Sequence, residues 1–241
     1  GQLKFAYLLS VAHGAVGPVY FQWRMALGNL EKTLGSVVDQ AGTPATRVFR
    51  EVAEIGALYR NCDDLPGATT PVECAMVFSR DSQWAMDFTP GPGNPKVKAY
   101  LPTLETHYRA LWKRNIPMDV IFPDADFSRY KVLIVPMLFS IDDATAARLK
   151  EYVKNGGTLI ATYLTGYVNE NSAFHLGGLP GAGLKEVFGI WNEEIDNLAD
   201  GDVQSLRFGE RSYPVEVYAE LLHLRGARSL AKYEHDFYAG F

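Results

Sequence analysis

Two side chains in the first part of the chain have the chemistry to bind a ligand. Trp23 ends an apolar segment, and Glu31 lies in the glycine-containing loop that follows it. A fixed carboxylate is a strong, directional hydrogen-bond acceptor, and an indole ring offers a flat apolar face for stacking. The residues alone leave the ordinary alternatives open, which are a solvated loop glutamate and a tryptophan in the core.

Composition and charge exclude several classes of function. The 241 residues carry a formal net charge of -5 with a pI of about 5.6, so nucleic acid and anionic membranes are not expected partners. No stretch reaches the ~20 apolar residues of a membrane span. Cys62, Cys74 and five scattered histidines lack the spacing of a metal site or a disulfide framework. We therefore expect no metal, no cofactor and a reducing, cytoplasmic location.

The elements that must position Trp23 and Glu31 form little more than one α/β unit. Apolar spacing predicts a helix over residues 2–13, and residues 17–23 have the composition of a short buried strand. A long loop follows, and a second helix is predicted to begin at Thr43-Pro44, with the threonine as N-cap. One and a half units are too few to bury both faces of a parallel strand.

A cluster of turn-forming residues at 65–71 predicts a domain boundary, after which strands and helices alternate. Such alternation is typical of a doubly wound parallel sheet, and continuous apolar runs fit strands covered on both faces. After Gly166 the pattern weakens, with a possible helix over 183–190 and two or three elements over 213–238. The predicted strands span 72–79, 117–122, 131–138 and 158–164, and the predicted helices span 97–114 and, with Ser140 as N-cap, 140–155.

Several blocks of sequence resemble one known family. Residues 20–24 read YFQWR and are followed by the glycines and Glu31 of the loop. The other matching blocks are 126–138 with its continuation at 152–158, 176–181 with its continuation at 189–190 and 194–196, and the ending 236–240. Together they resemble the family 42 glycoside hydrolases, which are β-galactosidases, over essentially the whole chain.

The resemblance implies an α/β protein in two parts. Residues 1–65 would be the C-terminal end, or remnant, of a (β/α)8 catalytic barrel. Residues 70–241 would form a doubly wound, class I glutamine-amidotransferase-like (flavodoxin-like) trimerisation domain. The parent enzyme would be a homotrimeric, retaining β-galactosidase that hydrolyses terminal β-D-galactosyl residues of β-galactoside substrates.

The resemblance also assigns roles to residues. The family's two catalytic glutamates follow the fourth and seventh barrel strands, and both positions lie upstream of Gly1. The chain alone is therefore predicted to be inactive. Glu31 matches a glutamate that accepts hydrogen bonds from galactose hydroxyls, and Trp23 is the second substrate-binding candidate. Leu34 stands where the family has a histidine sugar ligand, so one polar contact is lost.

The doubly wound part could by its fold be a class I glutamine amidotransferase, but its residues argue against that activity. In class I glutamine amidotransferases a nucleophilic cysteine follows a strand on a tight elbow, and the matching position here is Leu164. An aliphatic side chain has no nucleophile. The alternative to a glycosidase fragment is a catalytically silent amidotransferase-like scaffold or small-ligand-binding domain. A polar pocket at the strand ends near Pro136 and Leu164 would favour that alternative.

Overall fold

The computed structural model describes residues 1–61, 68–89, 100–199 and 201–235. Two compact units are present, Gly1–Pro71 and Val72–Phe241. Cys62, the proline-rich stretch 90–95, the first three residues of the predicted helix 97–114 and the matching block 236–240 lie outside the described residues. No helix among the described residues is long and apolar enough to cross a membrane.

The first unit consists of two helices and the loop between them. Helix α1 spans Gln2–Ala12 and helix α2 spans Arg47–Arg60. The predicted cap of α2 at Thr43 is wrong by one turn, because Thr46 accepts the hydrogen bond from the backbone N–H of Phe49, at 3.3 Å. The buried face of α2 centres on Ile55, as its apolar spacing predicts.

The predicted buried strand at 17–23 is wrong in this chain. The segment is extended but enters no ladder, and only an isolated bridge joins Arg24 to Val38. Val19 is 98% exposed and Phe21 is 72% exposed. A strand becomes regular and buried only when neighbouring strands and a covering layer take up its backbone groups and side chains. The first unit contains no such neighbours among its described residues.

The second unit is built on a four-stranded parallel sheet in the order β2-β1-β3-β4. This order belongs to the flavodoxin-like class and confirms the predicted doubly wound sheet. Strand β1 pairs with both β2 and β3, so that Cys74 lies opposite Met118 on one side and Val132 on the other. The strands are β1 Cys74–Val77, β2 Met118–Ile121, β3 Val132–Val135 and β4 Thr158–Ala161.

Helices cover both faces of this sheet. One face packs on α3 (Arg80–Phe88) and α4 (Tyr100–Trp112), and the other packs on α5 (Asp143–Lys154) and α6 (Leu184–Phe188). The sequence pattern does not predict α3, which begins where Ser79 accepts a hydrogen bond from the Ser82 N–H at 3.0 Å. Because both faces are covered, β1 is buried along its whole length.

Two small antiparallel sheets follow the parallel sheet along the chain. Strand β5 (Ile190–Asn197) pairs with β8 (Tyr218–Leu224). Strand β6 (Gln204–Phe208) pairs with β7 (Arg211–Val215) and β9 (Ala231–Tyr233). The sequence pattern predicts only part of this region, and β5 is not predicted. Ala219 and Leu221 of β8 supply its small buried core.

The N-cap of α5 is Asp142, and the predicted cap Ser140 is wrong. Asp142 accepts a hydrogen bond from the Thr145 N–H at 2.7 Å, whereas the Ser140 hydroxyl donates to the Asn169 carbonyl at 3.1 Å. A side-chain hydrogen bond with Thr145 is the main cause that lowers the pKa of Asp142. The cap of α5 therefore lies two residues later in the chain than predicted.

Replacing Asp142 with alanine is expected to lower the free energy of unfolding by about 1 kcal/mol, because one N–H of the first turn loses its acceptor. Asp142→Asn keeps an acceptor and should remain close to the wild type. Because the folded pKa is lowered, the contribution of Asp142 is present above about pH 4 and is lost as the pH falls. Urea unfolding at pH 7 and at pH 3 measures both effects. Equal losses in the two variants would contradict the cap.

Candidate functional site

A closed loop positions Glu31 in the first unit. Backbone hydrogen bonds join residues 22–25 to residues 37–38, including Val38 N–H to the Trp23 carbonyl at 2.7 Å and Met25 N–H to the Val38 carbonyl at 2.9 Å. Between these ends lies a short 3-10 helix, Leu30–Thr33. Asn29 begins it with a φ of 57° and accepts the Glu31 N–H on its side-chain oxygen at 2.8 Å. Asparagine tolerates this left-handed backbone because its side chain bonds locally.

The two predicted binding residues lie on this loop with their side chains accessible. Within the described part of the chain, no donor binds the Glu31 carboxylate, and its side chain is exposed. Trp23 is 64% exposed, so it is not a core tryptophan in this chain. One edge of its ring contacts Phe49 of α2, with ring centroids 6.3 Å apart. Both side chains are free to meet a ligand, and no contact between them is present in the described structure.

A cavity of about 610 Å³ lies beside this loop, between α1, α2 and residues 20–22 and 34–37. Leu34 lines it, so this position presents only an aliphatic side chain to the cavity. The Tyr20 hydroxyl and the Gln22 amide nitrogen are buried without a hydrogen-bond partner among the described residues. Burial is the main cause that raises the pKa of Tyr20.

Metal chemistry has no support in the described ranges. No group of three or more His, Cys, Asp or Glu side chains there has the geometry of a metal site. Cys74, the first residue of β1, is buried, and burial raises the pKa of its thiol. It is therefore a structural thiol, since reactive cysteines need a lowered pKa and access to solvent.

The elbow after β4 has the backbone of a nucleophile turn without the nucleophile. Leu164 has a φ of 58°, a left-handed conformation that is strained for a leucine, and its side chain is buried. Its backbone N–H donates to Oε1 of Glu220, on β8, at 3.1 Å. The strained turn is therefore present and held by a carboxylate, but its side chain is aliphatic and inert.

Glu220 is the centre of a polar cluster that the sequence analysis missed. The Tyr167 hydroxyl donates to Oε1 of Glu220 at 3.0 Å and accepts a hydrogen bond from the Asn192 amide at 2.8 Å. Burial is the main cause that raises the pKa values of both Glu220 and Tyr167. The available signal was a single acidic residue in the otherwise apolar first half of β8, Tyr218–Leu224.

Comparison with known proteins decides the family. The family model described as the β-galactosidase trimerisation domain matches residues 72–241, and the model described as β-galactosidase matches residues 1–61. The first match alone covers well over half of the chain. The chain belongs to the family 42 β-galactosidases.

Relatives in this family are similar in sequence and structure along nearly the whole chain. It is 42% identical to the β-galactosidase Pbg of Clostridium perfringens, over 100% of this chain and 36% of that protein. It is 43% identical to the β-galactosidase GalA of Bacillus licheniformis, over 95% of this chain and 34% of that protein. The crystal structure of a β-galactosidase from Bacillus circulans superposes with a TM-score of 0.88 and 34% identity, over 99% of this chain and 36% of the other. This chain thus spans about a third of its relatives' length.

Proposed function

We propose that the chain is part of a retaining β-galactosidase that hydrolyses terminal β-D-galactosyl residues. Residues 1–65 form the C-terminal end of its (β/α)8 barrel, and residues 70–241 form its trimerisation domain. The observation that carries the proposal is the match of residues 72–241 to the β-galactosidase trimerisation domain, together with relatives of that name aligned along the whole chain. The cytoplasm remains the predicted location of this enzyme.

The barrel part contributes a sugar contact and not the catalytic pair. A retaining glycosidase needs two carboxylates about 5 Å apart, one as acid/base and one as nucleophile. Glu31 is one exposed carboxylate on the loop after the segment 17–23. It accepts hydroxyl hydrogen bonds from the galactosyl unit, and Trp23 stacks beside it.

The chain alone is expected to show no turnover of a nitrophenyl β-galactoside, because one carboxylate cannot serve as both acid and nucleophile. The measurement is the release of nitrophenol over a day, compared with buffer and with a full-length family 42 enzyme as the positive control. Turnover that persists after repeated chromatography and increases with chain concentration would disprove the proposal that the catalytic glutamates lie outside residues 1–241.

Subunit assembly is the function we assign to the second unit. Helices α3 and α4 pack on one face of the parallel sheet and expose large aromatic side chains, Trp84 at 55%, Phe88 at 84% and Trp112 at 58%. Aromatic residues are enriched at subunit interfaces. A closed cyclic trimer would place three barrels in a fixed relation.

Light scattering of the purified chain tests this assignment. A stable mass near three times 26.7 kDa over a wide range of concentrations is expected. Trp84→Ala should leave the secondary structure unchanged, as circular dichroism would show. A molar mass below that of the wild-type assembly would then place Trp84 in the subunit interface. A monomer at every concentration would contradict assembly through residues 70–241 alone.

A second candidate function has a specific observation in its favour. A catalytically silent amidotransferase-like domain would still bind a small ligand at its strand ends, and a cavity with a polar wall lies beside Leu164, at the loop after β4. If light scattering shows a trimer, ligand binding would be a second role of the same domain. If it shows a monomer, ligand binding would be the domain's main role.

A further inference from the structure

The second unit contains a cavity whose polar wall is chemically incomplete. The cavity has a volume of about 620 Å³ and lies along β4 and the loop that follows it, against β5 and β8. Most of its wall is apolar, and Ile190 and Leu222 contribute to it. Two polar side chains from the antiparallel sheet, Asn192 and Glu220, also line it, as does the exposed Arg228.

The Glu220 carboxylate uses only one of its oxygens within the protein. Oε1 accepts both hydrogen bonds, from the Leu164 N–H at 3.1 Å and from the Tyr167 hydroxyl at 3.0 Å. Among the described residues, no donor binds Oε2 and no cation forms an ion pair with the carboxylate. Both protein donors are neutral. A half-buried carboxylate without a cationic partner is poorly stabilised, so a positively charged donor at Oε2 would stabilise it.

Asn192 adds a second acceptor to the same wall. Its side chain is only 9% exposed, and its amide nitrogen donates to the Tyr167 hydroxyl at 2.8 Å. Its amide oxygen is buried and accepts no hydrogen bond from any described residue. Oε2 of Glu220 and this amide oxygen are therefore two acceptors without a described protein donor on the side formed by β5 and β8. Together they give that side a negative potential that favours a cation over a neutral ligand.

We propose that this cavity binds a small primary ammonium compound with a short apolar body. The ammonium group donates to Oε2 of Glu220, and the body packs against Ile190 and Leu222. An ammonium group supplies both the charge and the donors that the wall lacks. The volume of the cavity lies within the range of small-molecule binding sites.

Arg228 distinguishes two sources of the same ammonium chemistry. Its exposed guanidinium lines the cavity and forms no ion pair with a described carboxylate. An amino acid with an apolar side chain would gain a partner for its carboxylate there, whereas a simple amine would gain none and would meet a like charge. Binding of either one supports the site, and the comparison shows which source it takes.

The site is independent of the glycosidase proposal. It lies wholly in the second unit, uses none of the residues assigned to sugar binding, and makes no claim on assembly. A sugar is the obvious competitor, since relatives are β-galactosidases. A neutral polyol carries no charge to pair with the Glu220 carboxylate, and most of the wall is apolar, so galactose is expected to bind weakly or not at all.

Titration of the purified chain with four probes tests the proposal. Butylammonium and leucine are expected to bind, and 1-butanol, which has the same apolar body without the charge, is expected to bind at least about 10-fold more weakly. Galactose is the fourth probe. Isotope-edited NMR of the Ile190 and Leu222 methyl groups gives the affinity and places the ligand in the cavity.

Two variants with the same change of charge sharpen the test. Glu220→Gln keeps an oxygen for the Leu164 and Tyr167 donors but removes the negative charge, so binding of butylammonium should weaken by about 10-fold or more. Glu194→Gln, at an exposed position of β5, is the control and should bind as the wild type does. Arg228→Gln should weaken leucine and leave butylammonium unchanged or tighter.

Several results would overturn the proposal. These are the absence of binding by both amines, equal affinity for butylammonium and 1-butanol, preference for galactose, and unchanged binding in Glu220→Gln. If Glu220→Gln does not fold, the wild-type comparison of butylammonium with 1-butanol and the methyl contacts still decide the question. A trimer in which a second copy fills the cavity would appear as methyl contacts between chains, and it too would overturn ligand binding.

Discussion

Leu149→Ala is expected to lower the free energy of unfolding of the second unit by about 3 kcal/mol. Leu149 lies on α5 with no exposed surface, and it belongs to the core under one face of the parallel sheet with Leu133, Val135 and Leu184. Truncation removes apolar contacts and leaves a cavity that the surrounding β-sheet cannot close, because strands β1 and β3 are fixed by hydrogen bonds on both sides.

Urea unfolding followed by circular dichroism measures this loss, at one fixed protein concentration so that assembly contributes equally. With a slope of about 2 kcal/mol per molar urea, the midpoint falls by more than about 1 M. Leu176→Ala is the matched control, since Leu176 is 98% exposed in a loop, and its midpoint should stay within experimental error. Similar shifts in both variants would show that α5 does not cover the core as described.

The parallel sheet is predictable from sequence because its signal is local. Strands β1 and β3 are continuous apolar runs, and such runs specify burial on both faces without information from the rest of the chain. Helix α5 is recognised by its spacing, although its cap is Asp142 and not Ser140. Helix α3 is missed because its nine residues, Arg80–Phe88, carry polar side chains among few apolar ones.

The first unit shows what a local pattern cannot supply. Residues 17–23 are apolar enough for a buried strand, yet Val19 and Phe21 are exposed. Whether such a segment becomes a strand depends on neighbouring strands that lie elsewhere in a fold. Glu31 is predicted as a sugar contact through its motif, not through burial or charge, and this stays a prediction. Glu220 was missed because its importance comes from contacts with Leu164 and Tyr167, more than fifty residues away in sequence.

Glu31→Gln in a full-length enzyme that contains this chain is expected to reduce kcat/KM for a nitrophenyl β-galactoside by about 100-fold. The exposed carboxylate would accept hydroxyl hydrogen bonds from the galactosyl unit, and a charged acceptor forms stronger bonds than the amide that replaces it. Bonds to sugar hydroxyls strengthen as charge develops at the transition state, so kcat should fall together with kcat/KM.

The matched control is Glu54→Gln, which makes the same change on the exposed face of α2 and should leave kcat and KM unaltered. Leu34→His adds a polar side chain beside Glu31, in the cavity that Leu34 lines, and should lower KM for galactosides if that position limits recognition. The two Glu→Gln variants separate a sugar contact from a general effect of charge. Wild-type kinetics in Glu31→Gln would mean that the 3-10 helix holds its carboxylate away from the substrate, and that the loop closed by Trp23 and Val38 serves only to support the barrel.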